Sequence, residues 1–98
     1  MMEAGLMTLN TKIQRNETKF LANALGEEMV MMNMENGDFV SMNKVGADIW
    51  KLTQEPVEVS EVIRKLLDLY DINAEQCSTE TLAFLESSMK QNMFTVAE

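Results

Sequence analysis

The pair Asn36-Gly37 interrupts two short apolar runs, and no other feature limits the architectures open to this chain so sharply. Asn-Gly is the strongest short hairpin signal, because both positions of a two-residue turn need positive φ. Glu28 to Met34 before the pair and Phe39 to Met42 after it therefore read as two antiparallel strands. A further strand precedes them from Thr18, where Phe20, Ala22 and Ala24 alternate with Leu21, Asn23 and Leu25, and Gly26-Glu27 supplies its turn. The expected unit is a three-stranded antiparallel meander.

After Met42 the apolar period changes from two to about 3.6. Asn43 is suited to N-cap a first helix, with Val45, Ile49 and Trp50 on one face and an end near Thr53, ahead of Pro56. The second helix has the broadest apolar stripe: Val59, Val62, Ile63, Leu66, Leu67 and Tyr70. The third runs from about Ala74 to Asn92, with Asn73 as cap and Gln76 placed to complete a capping box. Leu82, Leu85, Met89 and Met93 form its main stripe, and Cys77, Thr81, Phe84, Ser88 and Gln91 a second, semi-polar one roughly 100° away. Strands followed by helices imply an α+β fold, with the helices covering one face of the small sheet. Residues 1–16 read as a loosely ordered lead-in, with Thr11 to Gln14 as an extended segment, residues 17–94 as the domain, and 95–98 as a tail that packs loosely.

Composition narrows the function. The 98 residues suffice for one domain. The net charge of -8 argues against nucleic acid, which requires clustered Lys and Arg. The chain has no His, the commonest general base and transition-metal ligand. No phosphate-binding Gly loop or nucleophile motif is present, so neither a catalytic residue, a metal site nor a cofactor is expected. The single cysteine, Cys77, suits a reducing cytoplasm, and no apolar run is long enough to span a membrane.

A meander leaves its outer strands unpaired on one side. Such an edge either stays solvated or accepts an extended peptide as an added strand. Ten methionines, among them Met29, Met31, Met32, Met34 and Met42, fill a core or line an adaptable groove, the core being the commoner use. Trp50 reads as core, and Cys77 as a small buried thiol. Phe84 reads equally well as a second core contact or as a groove wall.

The ordered series Glu28-Met29-Val30-Met31-Met32-Asn33-Met34, then Asn36-Gly37-Asp38-Phe39-Val40-Ser41-Met42-Asn43, then Val45-Gly46-Ala47-Asp48-Ile49-Trp50-Lys51-Leu52 resembles the PqqD-like family, or RiPP recognition elements. The likeness covers residues 18–94, and Met42 stands where Leu is more usual. The resemblance implies a winged-helix-like fold that binds the leader of a ribosomally made precursor peptide as a strand beside the third strand, against the third helix. Carried onto this chain, it assigns peptide binding to Asp38, Phe39, Val40, Ser41 and Met42, with Thr81, Phe84, Leu85 and Ser88 as the helix wall. It further implies a stand-alone member, most similar to the leader-binding proteins of lasso-peptide clusters, whose partners are a separate leader peptidase and a cyclase. The rival readings are the peptide chaperone that serves a radical enzyme, a winged-helix DNA-binding regulator, and a scaffold that never touches substrate. The regulator suffers from a third helix whose only basic residue after Cys77 is Lys90.

Overall fold

A computed structural model of the chain describes residues 7–97. Met1 to Leu6 of the lead-in and Glu98 of the tail lie outside the described residues. The order is β1 (Lys12–Arg15), β2 (Phe20–Leu25), β3 (Glu28–Asn33), β4 (Phe39–Met42), α1 (Lys44–Leu52), β5 (Val57–Glu58), α2 (Val59–Leu69), α3 (Ala74–Lys90) and β6 (Phe94–Val96). The α+β expectation holds: β2, β3 and β4 form the meander in that order, and three helices follow.

Pairing Ala22 with Met31 and Met31 with Val40 gives every second residue to the covered face. Phe20, Met29, Met31 and Met42 are buried there, with α1 packed on β3 and β4. The opposite parity is solvated: Leu21, Leu25 and Phe39 are exposed.

The Asn-Gly signal marks the hairpin, but the turn is wider than a two-residue one. Residues 34–37 form the loop and only Gly37 takes a positive φ, of 80°. The Asn33 and Asp38 backbones are already bonded (2.7 Å), and the Gly37 N–H donates to the Asn33 carbonyl (2.7 Å). The Asn36 side chain instead accepts from the Asp38 N–H at 2.9 Å, so it closes the loop without a left-handed backbone.

The helix starts behave as their caps dictate. Asn43 accepts from the Gly46 N–H at 2.9 Å, and Asn73 from the Gln76 N–H at 2.7 Å. The reciprocal half of the capping box is missing, because the Gln76 amide turns forward to Glu80 at 3.1 Å. In α2, Val59, Val62, Ile63 and Leu66 are buried as the stripe requires, with Leu67 and Tyr70 partly so.

Three expectations are corrected. Val45 does not share the buried face of Ile49 and Trp50; it is 39% exposed. In α3 the buried face takes Cys77, Thr81 and Ser88 from the semi-polar stripe and Leu85 from the main one, while Leu82 and Met89 are only half-covered. Small side chains let α3 close on α2, bringing the Cys77 thiol to 3.9 Å from the Ile63 carbonyl, and size outweighs polarity at such an approach.

The third correction concerns both ends of the domain. The extended segment near Thr11 to Gln14 is a strand, β1, and residues 94–96 are another, β6. With β5 they form a second antiparallel sheet in the order β5-β1-β6. Ile13 and Phe94 from this sheet are buried as deeply as any residue of the core. α3 stops at Lys90 because Asn92 turns left-handed (φ 65°). The Asn92 and Met93 N–H groups then return to the Met89 and Ser88 carbonyls, a Schellman closure that redirects the chain into β6. Phe94 meets Trp50 edge-to-face at 5.7 Å and Phe84 at 6.1 Å. Phe94→Ala should cost about 3–5 kcal/mol, measured by denaturant unfolding.

Candidate functional site

Among the described residues, β4 is bonded on one side only. The Asn33–Asp38 backbone bond sets the phase of its ladder. Bonded and non-bonded pairs alternate in an antiparallel pair. Val40 and Met42 therefore spend their backbone groups on Met31 and Met29, while those of Phe39 and Ser41 point away from β3. The free edge thus presents two N–H and two C=O groups in strand geometry.

α3 runs opposite to β4 across this edge. Gln91 and Asn92, at the end of α3, line a shallow cleft with Asp38, Phe39 and Val40, at the start of β4. At the other end, Val45, Tyr70, Ile72, Phe84 and Glu80 surround a mostly apolar cleft of about 310 Å³, floored by Cys77 and Thr81. Beside the apolar cleft, Met42, Gly46 and Phe84 converge. A Cβ on Gly46 would lie 3.4 Å from both the Met42 Cβ and the Phe84 ring, so glycine there lets the ring lie flush against α1.

The nine residues singled out from sequence divide into groups. Asp38, Phe39 and Ser41 are exposed along the edge, Phe39 at 69%. Val40 and Met42 point to the covered face. Phe84 is half-buried and serves both uses weighed for it, since it packs on Phe94 and walls the apolar cleft. Thr81 and Ser88 are buried, Thr81 contributing only to the cleft floor. Leu85 has no exposed surface and belongs to the core.

The side chains that sequence reasoning passed over are Glu80, Gln91, Val45, Tyr70 and Ile72. A signal for two of them was present. Stepping from Phe84 by i−4 and i+7 keeps to one side of a helix and reaches Glu80 and Gln91. Placing the wall on Thr81, Leu85 and Ser88 instead rotates it into the core.

One polar cluster holds the cleft open. The Tyr70 hydroxyl donates to Asp48 and accepts from the Lys44 ammonium at 3.1 Å, while Lys44 lies 3.8 Å from Asp48. This ties the first turn of α1 to the end of α2 and fixes the Tyr70 ring as a wall. Burial raises the Tyr70 pKa, and its hydrogen bond to Asp48 raises it further. Among the described residues, no group of His, Cys, Asp and Glu is arranged to hold a metal, and no helix is long and apolar enough to cross a membrane. What the groove offers is a backbone edge, an apolar cleft and a few carboxylates, a set suited to holding an extended chain.

Comparison with known proteins gives two matches. The family model for coenzyme PQQ synthesis protein D (PqqD) matches residues 28–93, from β3 through the α3 closure. The structure of TbiB1 in complex with the TbiA(beta) leader peptide superposes with a TM-score of 0.74 at 16% identity, over 83% of this chain and 93% of that one. At that identity the likeness is one of fold. No curated protein matches.

Tyr70 is the chain's sole tyrosine, so its ionisation can be followed by absorbance. The phenolate should appear above the ordinary value of 10. Folding favours the neutral phenol, so the stability it adds is full below the unfolded-state value and is lost as pH rises through the folded-state one. Asp48→Asn should lower the midpoint only partway, because burial, the larger cause, remains.

Proposed function

The chain belongs to the PqqD family, and on that footing we propose that it binds the leader segment of a ribosomally synthesised precursor peptide as a fourth strand beside β4. The observation that carries this reading is the outward-facing backbone of Phe39 and Ser41, set opposite a wall centred on Phe84. Main-chain hydrogen bonds to the edge supply affinity regardless of peptide sequence, and the clefts on either side of Phe84 supply selectivity. TbiB1, which shares the fold, is bound to a leader peptide, and that supports the same use of this groove.

The peptide is held rather than converted. The protein presents it to a separate leader peptidase and cyclase, as in lasso-peptide maturation, within a reducing cytoplasm that suits its lone thiol. The second reading, favoured by the description of the matching family as a coenzyme synthesis protein, is a chaperone that hands the peptide to a radical enzyme. Duplex DNA is a poor partner, since α3 offers Lys90 alone against Glu75, Glu80 and Glu86. The genes beside this one separate the two enzymatic settings: a short precursor with a transglutaminase-like peptidase and an asparagine-synthetase-like cyclase marks the first.

The edge-strand mode is tested at Ser41. Ser41→Pro removes an outward N–H while sparing the β3–β4 ladder, and edge strands tolerate such a proline. Val40→Pro is the poorer choice, because the Val40 backbone is spent on β3. Binding of a fluorescein-labelled synthetic leader, followed by anisotropy, should weaken by about tenfold or more in Ser41→Pro with the circular dichroism spectrum preserved. Unchanged affinity in this variant, or no saturable binding by the parent protein, would count against the reading.

A further inference from the structure

The peptide-binding reading leaves open what kind of leader this groove prefers, and the charges along it bear on that choice. The two clefts are lined by Glu80 at one end and by Glu35 and Asp38 at the other, and among the described residues no Lys or Arg lines either. Glu35 is neutralised by Lys19 at 2.6 Å. Lys44, which lies over the Tyr70 ring that walls the apolar cleft, is held on Tyr70 and Asp48. Among the described residues, neither Asp38 nor Glu80 has an ion-pair partner. Glu80 receives only the Gln76 amide, and the backbone bonds that close the hairpin beside Asp38 leave its carboxylate uncommitted. Both side chains are exposed, so ionising them costs little desolvation.

Because α3 and β4 run in opposite directions, these carboxylates mark opposite ends of the groove. Asp38 faces the Gln91 end of α3, and Glu80 lies beside Phe84 at the other. The stretch of α3 from Glu80 to Gln91 rises roughly 16 Å. An extended strand covers that length in about five residues, at roughly 3.3 Å each.

Resting on the peptide-binding reading, we propose that the groove selects an extended peptide bearing Lys or Arg at two points about five residues apart, one against Asp38 and one against Glu80, with the strand-paired segment between them. The overall charge of -8 draws such a peptide in and repels an acidic one. The two carboxylates also fix its register, which main-chain pairing alone leaves free to slip by two residues.

The test uses the full chain and the fluorescein-labelled synthetic leader of the precursor encoded beside it. Glu80→Lys should weaken binding by roughly threefold to tenfold, as expected for reversing a rim charge. Glu80→Gln should have a smaller effect, and Asp38→Lys one similar to Glu80→Lys. A leader in which the matching Lys or Arg is changed to Glu should recover affinity with Glu80→Lys and lose it with the parent protein. Raising salt to about 0.5 M should weaken the parent complex and leave the Glu80→Gln, Asp38→Asn double variant nearly indifferent. A leader that binds tightly but is insensitive to salt and to Glu80→Lys, or one with no basic residue at that spacing, overturns the charge pattern and leaves strand addition standing. A leader that fails to bind the parent protein overturns both.

Discussion

The groove depends on Phe94. Its ring is wedged between Trp50 of α1 and Phe84 of α3. It therefore sets the separation of the two helices that flank the β4 edge. Arg15 adds a second hold on the same place, lying over the Trp50 ring at 5.4 Å and bonding the Trp50 carbonyl at 3.2 Å. These contacts join the β1–β6 sheet to the helices. Without the wedge, β4 would keep its bonds to β3, but Phe84 would lose one of the contacts that hold it opposite. An edge strand alone is a promiscuous template; it becomes a selective site only when a wall stands at a fixed distance.

The parts of the fold that were legible in sequence are those whose signal is local. The hairpin at Gly37, the caps at Asn43 and Asn73 and the stripe of α2 each rest on a few neighbouring residues. The second sheet was hidden because its strands are two to four residues long and come from three distant stretches of chain. No window of sequence contains enough of it to show a period. The face of α3 was misjudged for a different reason. Hydrophobicity ranked Leu82 and Met89 above Cys77, Thr81 and Ser88, yet the small residues are what allow a close helix approach. The same rotation displaced the proposed wall. The β4 side of the site was readable because the hairpin sets its register, whereas Glu80 and Gln91 needed the correct helix face first.

The methionines divide along the same lines. Met29, Met31, Met42 and Met93 are buried, and Met34 is exposed near the hairpin loop. Most are core filler, but Met42 lies where the covered face of the sheet meets the groove, against Gly46 and Phe84. An unbranched, flexible side chain there suits a position that packs against both a glycine and an aromatic ring.

The β1–β6 pairing joins Ile13 to Val96 across most of the chain. Closing so long a loop is entropically expensive and raises contact order, which slows folding. It also imposes an order in time. During synthesis the meander and α1 can leave the ribosome and pair locally, but the seat for Phe84 stays incomplete until Phe94 has emerged and found β1. A half-made chain therefore carries the bare edge with an unfinished wall. The same kinetic step that completes the core completes the site.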